Sequence, residues 1–543
     1  MRSLTLRRVA PTLVLAGLYV GVGLAMVYGT GMIYGDTLSR IADARVALGG
    51  RDPRLGALGT VFGPLPSLLA LPAVALRSLW PDLVTRGIAA IIVSALAMAA
   101  AASQLVGIAE DRGWRLSHAR LLAALFALNP FVVLYAANGM SEALFLALAF
   151  RLIRMLVRWN HTGGTDALTS AAGALGMMYL VRYEAVVVGA ATVSVVAVSA
   201  WISASGEAHR SRLQHVAMAS AVVSLPLAAV IIGWSLYSWI LTGELFAQLT
   251  SIYGNRAILA LEGARPAGLG TGLAQSIALA PSLPLLLPIA AFLGWRRRDP
   301  DLLIMTAALG PALSFSVVSI ALGATFPFMR FTVLSVVVAM TTAIFLWPRV
   351  EANDVWRYRL PVERWRATRL RAGAVAVTLL IAAGMPTSLA ALNDPQLGSQ
   401  DRAIAAAFLG STSPRDRQTL RTFSAERRLA AFLDAELVHS DRILVDTQQG
   451  FAILAATEHP ERFIVPSDRL FQRALDDPAG HGVTHLLAVP REGRGRADAL
   501  NRRFPTLYDT GADVGLLMME IVNDGDQPDW RLFLVGPPEA PNP

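Results

Sequence analysis

Eleven apolar stretches long enough to cross a bilayer recur along the first 391 residues, near 9–29, 87–108, 119–137, 141–157, 167–182, 184–203, 216–240, 272–293, 302–321, 331–348 and 372–391. Lipid offers backbone N–H and C=O groups no partner, so stretches of ~17–25 such residues are confined to helices. With 54% hydrophobic and 16% charged residues, the fold class expected is an α-helical multispanning membrane protein of about 11 spans over 1–391. A twelfth candidate, Gly59 to Leu76, contains Pro64, Pro66 and Pro72, and its status sets the orientation of everything after it.

Arginine decides that status. The chain has no lysine, so all 47 basic residues are arginine. If 59–76 does not span, one face collects 21 arginines of the first 391 residues: Arg2, Arg7 and Arg8; Arg112, Arg115 and Arg120; Arg151, Arg154 and Arg158; Arg210 and Arg212; Arg296 to Arg298; and seven between Arg349 and Arg371. The other face then holds 10. The positive-inside rule favours this arrangement. The 59–76 segment is therefore expected to lie along or dip into the outer interface, within an external loop over 33–86 that carries interfacial helices. The N-terminus is expected in the cytoplasm as an uncleaved first helix, in a bacterial inner membrane. The Arg-for-Lys bias is what points to a bacterial source.

The tail from 392 to 543 changes character. Short apolar runs at 443–446, 462–465, 484–489, 514–521 and 531–535 read as strands, and segments near 424–438, 449–457, 468–476 and 496–504 as helices. An extracytoplasmic α/β domain is expected, ending in a frayed Pro-rich terminus.

Absences narrow the chemistry. Without lysine there is no P-loop lysine and no Schiff base; with 0 cysteines there is no thiolate or disulfide. The 8 histidines include no HExxH pair. The net charge of +8 reflects loop arginines rather than nucleic-acid binding. Carboxylates, guanidiniums and hydroxyls remain.

Seven ionisable groups gather at the outer face: Asp36, Arg40 and Asp43 after the first span, Glu142 at the start of another, Arg182 and Glu184 in a turn, and Arg330 at the end of a third. Charges at a membrane boundary are costly unless solvated, paired or used. Each also has a plain structural reading. Asp36 fits a helix N-cap, Glu142 complements a helix N-terminus, Arg182 and Glu184 form a local pair, and Arg330 snorkels to headgroups. His161 and the cytoplasmic arginines read as solvated anchors. Taken together the seven suit group transfer at a lipid headgroup. Asp36 and Glu142 are the catalytic candidates, with Asp36 a general base whose pKa burial should raise. Arg40, Asp43, Arg182, Glu184 and Arg330 are the substrate-binding candidates, the arginines holding a phosphate leaving group. Asp36, Glu142, Arg182 and Arg330 are expected to line one cavity. No metal site is assigned, although Asp36, Asp43, Glu142 and Glu184 are oxygen ligands of the kind a divalent cation takes.

The acid after the first span, the Gly-Pro-Leu-Pro run at 63–66, Ala-Leu-Asn-Pro-Phe at 127–131, Asn-Gly-Met-Ser-Glu at 138–142 and Val-Arg-Tyr-Glu-Ala at 181–185 resemble the GT-C superfamily of integral-membrane glycosyltransferases. The likeness is to its bacterial protein-mannosyltransferase and arabinosyltransferase branches. It implies an inverting hexosyl- or pentosyltransferase with Asp36 at the catalytic acid of the first loop. The donor would be a polyprenyl-phosphate sugar, and the acceptor an extracytoplasmic cell-envelope glycan, glycolipid or protein. It also implies a tail that binds glycan or positions the acceptor. The second acid of the paired motif found in many relatives falls here seven residues on, at Asp43. Two other readings compete: a transporter or flippase of lipid-linked saccharides, which would place its polar groups near the midplane, and a non-catalytic glycan-binding scaffold.

Overall fold

The computed structural model describes residues 2–206, 208–263, 266–297, 299–346 and 373–536. Arg298, the arginines from 349 to 371 and the Pro-rich terminus at 537–543 lie outside the described residues. Each of the eleven apolar stretches contains helix, but they are not eleven equivalent rods. Among the described residues six helices are long and apolar enough to cross a membrane: Val9–Thr30, Ile88–Asp111, Ala185–Ser203, His209–Thr242, Pro300–Ala321 and Gly373–Asn393. Two further stretches are helix pairs, Leu116–Ala127 with Pro130–Ala137 bent by 69°, and Leu269–Leu279 with Leu283–Arg297 bent by 82°. Counting each bent pair as one span gives 8.

The remaining three depart from a simple span for visible reasons. Glu142–Thr162 carries Arg151, Arg154 and Arg158, Thr165–Tyr179 has only 15 residues, and Met329–Phe345 is short. The first bend follows from Asn129. Its side chain accepts from the backbone N–H groups of Phe131 and Val132, capping the second helix, with Pro130 at the helix start. Its amide nitrogen donates to Gly384 O at 3.1 Å and Ser388 Oγ at 3.2 Å, so the break is tied to a distant helix.

The proline-rich 59–76 segment forms the helix Leu65–Val74, whose 10 residues are too few to span. It packs on helix Gly35–Gly49 and on Ile88–Asp111, and Leu65 N–H donates to Leu180 O at 3.1 Å. A Cβ at Gly63 would come within 2.4 Å of that same Leu180 oxygen. The Gly-Pro-Leu-Pro run thus places a helix where only glycine fits the approach.

At the far end of the bundle the anchor reading fails for Arg112. Arg112 is 3% exposed and pairs with Asp299 and Asp301, and the exposed His161 has its Nε2 2.8 Å from Asp301. Asp301 is fully buried and so draws the Arg112 guanidinium inward instead of leaving it in solvent.

Beyond residue 393 the chain forms helices Arg402–Leu409, Pro414–Leu420 and Ser424–Glu436, followed by a sheet. Its strands are β1 (Ile443–Leu444), β2 (Phe463–Ile464), β3 (His485–Ala488), β4 (Gly515–Ile521) and β5 (Trp530–Val535), in the order β2-β1-β3-β5-β4. β1 pairs in parallel with β2 and β3, whereas β5 is antiparallel to β3 and β4. Four fall within the stretches read as strands, and β5 starts one residue ahead of its stretch. Helices Thr447–Ala456 and Phe471–Asp476 make the crossovers.

Packing ignores the change in composition at 391. Ala403, Ile404 and Leu420 belong to the apolar core of the helical bundle. A second core joins Val27, Ile33, Leu38 and Ile41 of the first loop to Phe423, Phe451, Leu487 and Trp530 of the sheet region.

Candidate functional site

The first span ends in a π-helical turn, Ala25–Thr30, closed by Gly31 at φ 81°. The chain then enters helix Gly35–Gly49 with Tyr34 as N-cap residue, and Asp36 sits in the first turn with no side-chain cap bond. The N-cap reading of Asp36 is therefore replaced. Its carboxylate turns outward instead and meets Arg330, whose NH1 donates to Oδ2 at 2.6 Å. Arg330 comes from the short 3₁₀ turn Met329–Thr332, and its guanidinium lies 5.4 Å from the ring centre of Phe328 and 5.1 Å from that of Phe331. Its Nε has no hydrogen-bond partner among the described residues.

Behind this pair lies a second one. Arg182 NH1 donates to Glu142 Oε1 at 2.6 Å, and Arg182 NH2 to Glu184 Oε1 at 2.8 Å. Arg182 sits 5.0 Å from the centre of Phe331, the same ring that Arg330 approaches at 5.1 Å. Glu142 is 1% exposed. Arg40, one turn after Asp36, is buried over Phe62, and its Nε and NH1 are unpartnered among the described residues.

A cavity of about 1510 Å³ opens between this end of the bundle and the sheet region. Asp36, Asp43 and Arg330 line it; Arg40, Glu142, Arg182 and Glu184 do not. The expectation that Asp36, Glu142, Arg182 and Arg330 share one wall therefore holds for Asp36 and Arg330 alone. Glu142 and Arg182 are buried beside it, with Phe331 in contact with both Arg182 and Arg330. The carboxylates are engaged by guanidiniums instead: Asp36 by Arg330, and Glu142 and Glu184 both by Arg182.

The electrostatics also overturn an expectation. Burial pushes the Asp36 pKa up, but Arg330, then Arg40 and more distantly Arg494, outweigh it and hold the carboxyl below its ordinary value. Sequence reasoning anticipated only the burial, because Arg330 lies 294 residues away. Asp43 is the opposite case. It lies two turns beyond Asp36 on the same helix face. Burial raises its pKa to about 8, against a weak lowering by Arg40, so it carries a proton at neutral pH.

That gives a prediction. Asp43→Asn copies the protonated side chain and is expected to fold as wild type does at pH 7. The sign for stability follows from proton binding. The unfolded carboxyl loses its proton near 3.8 while the folded one keeps it to about 8. Stability therefore falls as pH rises across that window and is flat above it. Melting curves between pH 5 and 9 should show a smaller decline for the variant; parallel declines would contradict the assignment.

Three residues of the site escaped sequence reasoning. Asp401, 1% exposed, accepts from Tyr34 OH at 2.7 Å and from Tyr135 OH at 3.0 Å. Burial raises its pKa and the two phenol donors limit the rise, leaving it at about 6. Tyr34 immediately precedes the helix of Asp36 and lines the cavity, so Asp401 fixes the turn on which the acid rides. A 367-residue separation from Tyr34 leaves no local signal. Beside this clamp, Thr37 Oγ1 donates to Asn138 O at 2.8 Å, and Gly139 holds φ 76° with no room for a Cβ against Thr37. The Asn-Gly-Met-Ser-Glu run thus braces the same turn.

No family model and no curated protein matches the sequence. Among solved structures, ArnT from Cupriavidus metallidurans bound to undecaprenyl phosphate superposes with a TM-score of 0.54 at 13% identity, covering 98% of this chain and 99% of that one. An oligosaccharyltransferase from Archaeoglobus fulgidus also matches, at a TM-score of 0.43 and 11% identity over 88% of this chain and 69% of that one.

Proposed function

From a chain with the fold of the GT-C superfamily of integral-membrane glycosyltransferases, we propose a glycosyltransferase that moves a sugar from a polyprenyl-phosphate donor to a hydroxyl acceptor, with Asp36 as general base. The observation that carries this reading is the Asp36–Arg330 pair on the wall of the large cavity. Such a substitution needs a carboxylate at the attacking oxygen and a guanidinium at the leaving phosphate, so the 2.6 Å ion pair would open to admit donor and acceptor between the two groups. The acceptor oxygen forms its bond to the anomeric carbon as its proton passes to Asp36. The bond from that carbon to the phosphate oxygen breaks, and its electron pair leaves with the phosphate, which Arg330 neutralises. Attack opposite the leaving group gives inversion.

The pairing also suggests an order of events. In the free protein Arg330 suppresses the basicity of Asp36. A donor phosphate competing for Arg330 would relax that hold, so the base gains strength once the donor is seated. Glu142 and Glu184 act in this scheme by holding Arg182, whose ring neighbour Phe331 supports Arg330. Glu142 is then a positioning residue rather than a catalytic one. Placing the acid and the helices Leu65–Val74 and Gly35–Gly49 at the outer leaflet follows from the arginine distribution.

The test is transfer by the full chain in nanodiscs, from polyprenyl-phosphate hexoses and pentoses, with release of polyprenyl phosphate measured by mass spectrometry. Consumption of one donor supports the proposal. No consumption of any, or movement of intact lipid-linked sugar across proteoliposomes without bond cleavage, would overturn it.

A further inference from the structure

The turn after helix Ser424–Glu436 meets the 3₁₀ turn Pro460–Arg462, which runs straight into β2, and no residue of either turn lines the cavity. Their meeting brings His439 from the first up to His459 and Glu461 from the second. The imidazole centres lie 4.7 Å apart with their planes at 74°, and His459 Nδ1 is 3.0 Å from Glu461 Oε1. One ring nitrogen of each histidine and one Glu461 oxygen all lie within 4.8 Å of one another. Among the described residues no other three histidines or carboxylates converge in this way. Zinc bonds of ~2.0–2.1 Å to nitrogen and oxygen put tetrahedral ligand atoms ~3.3 Å apart. Rotations of His439 and Glu461, both exposed, and of the half-buried His459 cover that difference.

The backbone beneath the trio is already fixed. Asp434, on helix Ser424–Glu436, accepts from Thr457 Oγ1 at 2.5 Å and from Glu458 N at 2.7 Å, and His459 N donates to Thr457 Oγ1 at 3.0 Å. Arg462, 5% exposed, donates through NH1 to Leu437 O at 3.0 Å and through NH2 to His439 Nδ1 at 3.0 Å. A guanidinium only donates, so it meets a lone pair on Nδ1 and leaves the ring proton of His439 on Nε2. That lone pair is what a metal takes, and Arg462 would keep its carbonyl on NH1 once displaced from the ring. Glu461 likewise accepts a proton from His459 Nδ1; an ion standing in its place sends that proton to Nε2. Glu458 and Asp434 add two carboxylates, close enough that with Glu461 they all act on Arg77 of the first loop. Their field offsets the charge of Arg462.

We propose that His439, His459 and Glu461 bind one zinc ion, a structural site that fastens the seat of helix Gly35–Gly49 to the sheet region. Two imidazoles and a carboxylate suit zinc, whereas magnesium and calcium take oxygen ligands. Water fills the fourth position. The link to the helix is direct: Arg45 NH2 donates to Thr457 O at 3.0 Å, and Arg51 NH1 to Glu461 O at 3.5 Å. The site is independent of the transferase reading, since none of its ligands lines the cavity.

The experiment is calorimetric titration of zinc chloride into the full chain in nanodiscs, stripped of metal with a chelator and carrying no histidine tag. One ion per chain is expected to bind saturably and to raise the thermal unfolding temperature, while magnesium does neither. His459→Ala and Glu461→Gln are each expected to weaken binding by ~100-fold or more, because even the outer partners of zinc ligands are worth ~10–100-fold. Unfolding of the metal-free variants close to that of wild type shows that the fold is kept. Should His459→Ala fold poorly, His439→Ala, at an exposed ligand, serves in its place. No saturable binding would overturn the site. So would zinc binding of equal strength in the variants, which places the ion elsewhere, or equal binding of magnesium.

Discussion

Asp36→Asn is expected to lower kcat for sugar transfer by ~10²–10⁴-fold, the range for removal of a positioned general base. Asparagine keeps the shape and still accepts from Arg330, so KM for the donor should change little and the chain should fold. A second signature concerns pH. The base works only when ionised, so activity falls as pH drops through its pKa, and Arg330 and Arg40 hold that pKa below the ordinary carboxylate value in the free protein. The pH profile of kcat/KM, which reports free-enzyme groups, should therefore show no acid limb of Asp36 origin above about pH 4. A variant retaining near-wild-type kcat would remove Asp36 from the reaction.

Arg182→Met should act on folding rather than on chemistry. Glu142, 1% exposed, loses the guanidinium 2.6 Å away, and breaking a buried pair from one side costs about 3–5 kcal/mol. The double variant Arg182→Met/Glu142→Gln removes the stranded charge as well and is expected to recover most of that loss. Thermal unfolding of the four members of this cycle in one detergent measures it. If the double variant is as unstable as the sum of the singles, the two side chains are not coupled and the second pair is no support for the first. Glu142→Gln alone should be the milder single change, because Arg182 keeps Glu184 at 2.8 Å.

What could be read from the sequence tracks the range over which each signal acts. Helices in the apolar stretches and the five strands were legible because alternation and apolar runs are local patterns. Asn129 and Pro130 were visible as a motif, yet the 69° bend they produce was not, since it also depends on Gly384 and Ser388. Charge clustering at one end was legible through the arginine distribution. The sign of the Asp36 shift was not, because it is set by Arg330 across 294 residues of sequence. Arg112 read as an anchor for the same reason: the buried Asp301 that holds it leaves no mark near it. Asp401, in a tail without any recognisable phosphate-binding fingerprint, carried no signal until the fold brought it to Tyr34 and Tyr135.

The second apolar core has a consequence for biosynthesis. It joins Ile33, Leu38 and Ile41, beside the acid, to Trp530 and Leu532 in the final strand. A nascent chain inserted helix by helix exposes the partners of Leu38 roughly 500 residues before Trp530 leaves the ribosome. Until then the loop of Asp36 lacks its packing and Asp401 has not reached Tyr34. The turn that carries Asp36 is thus completed last, and a chain truncated after residue 391 would lack both this packing and the Asp401 bond to Tyr34.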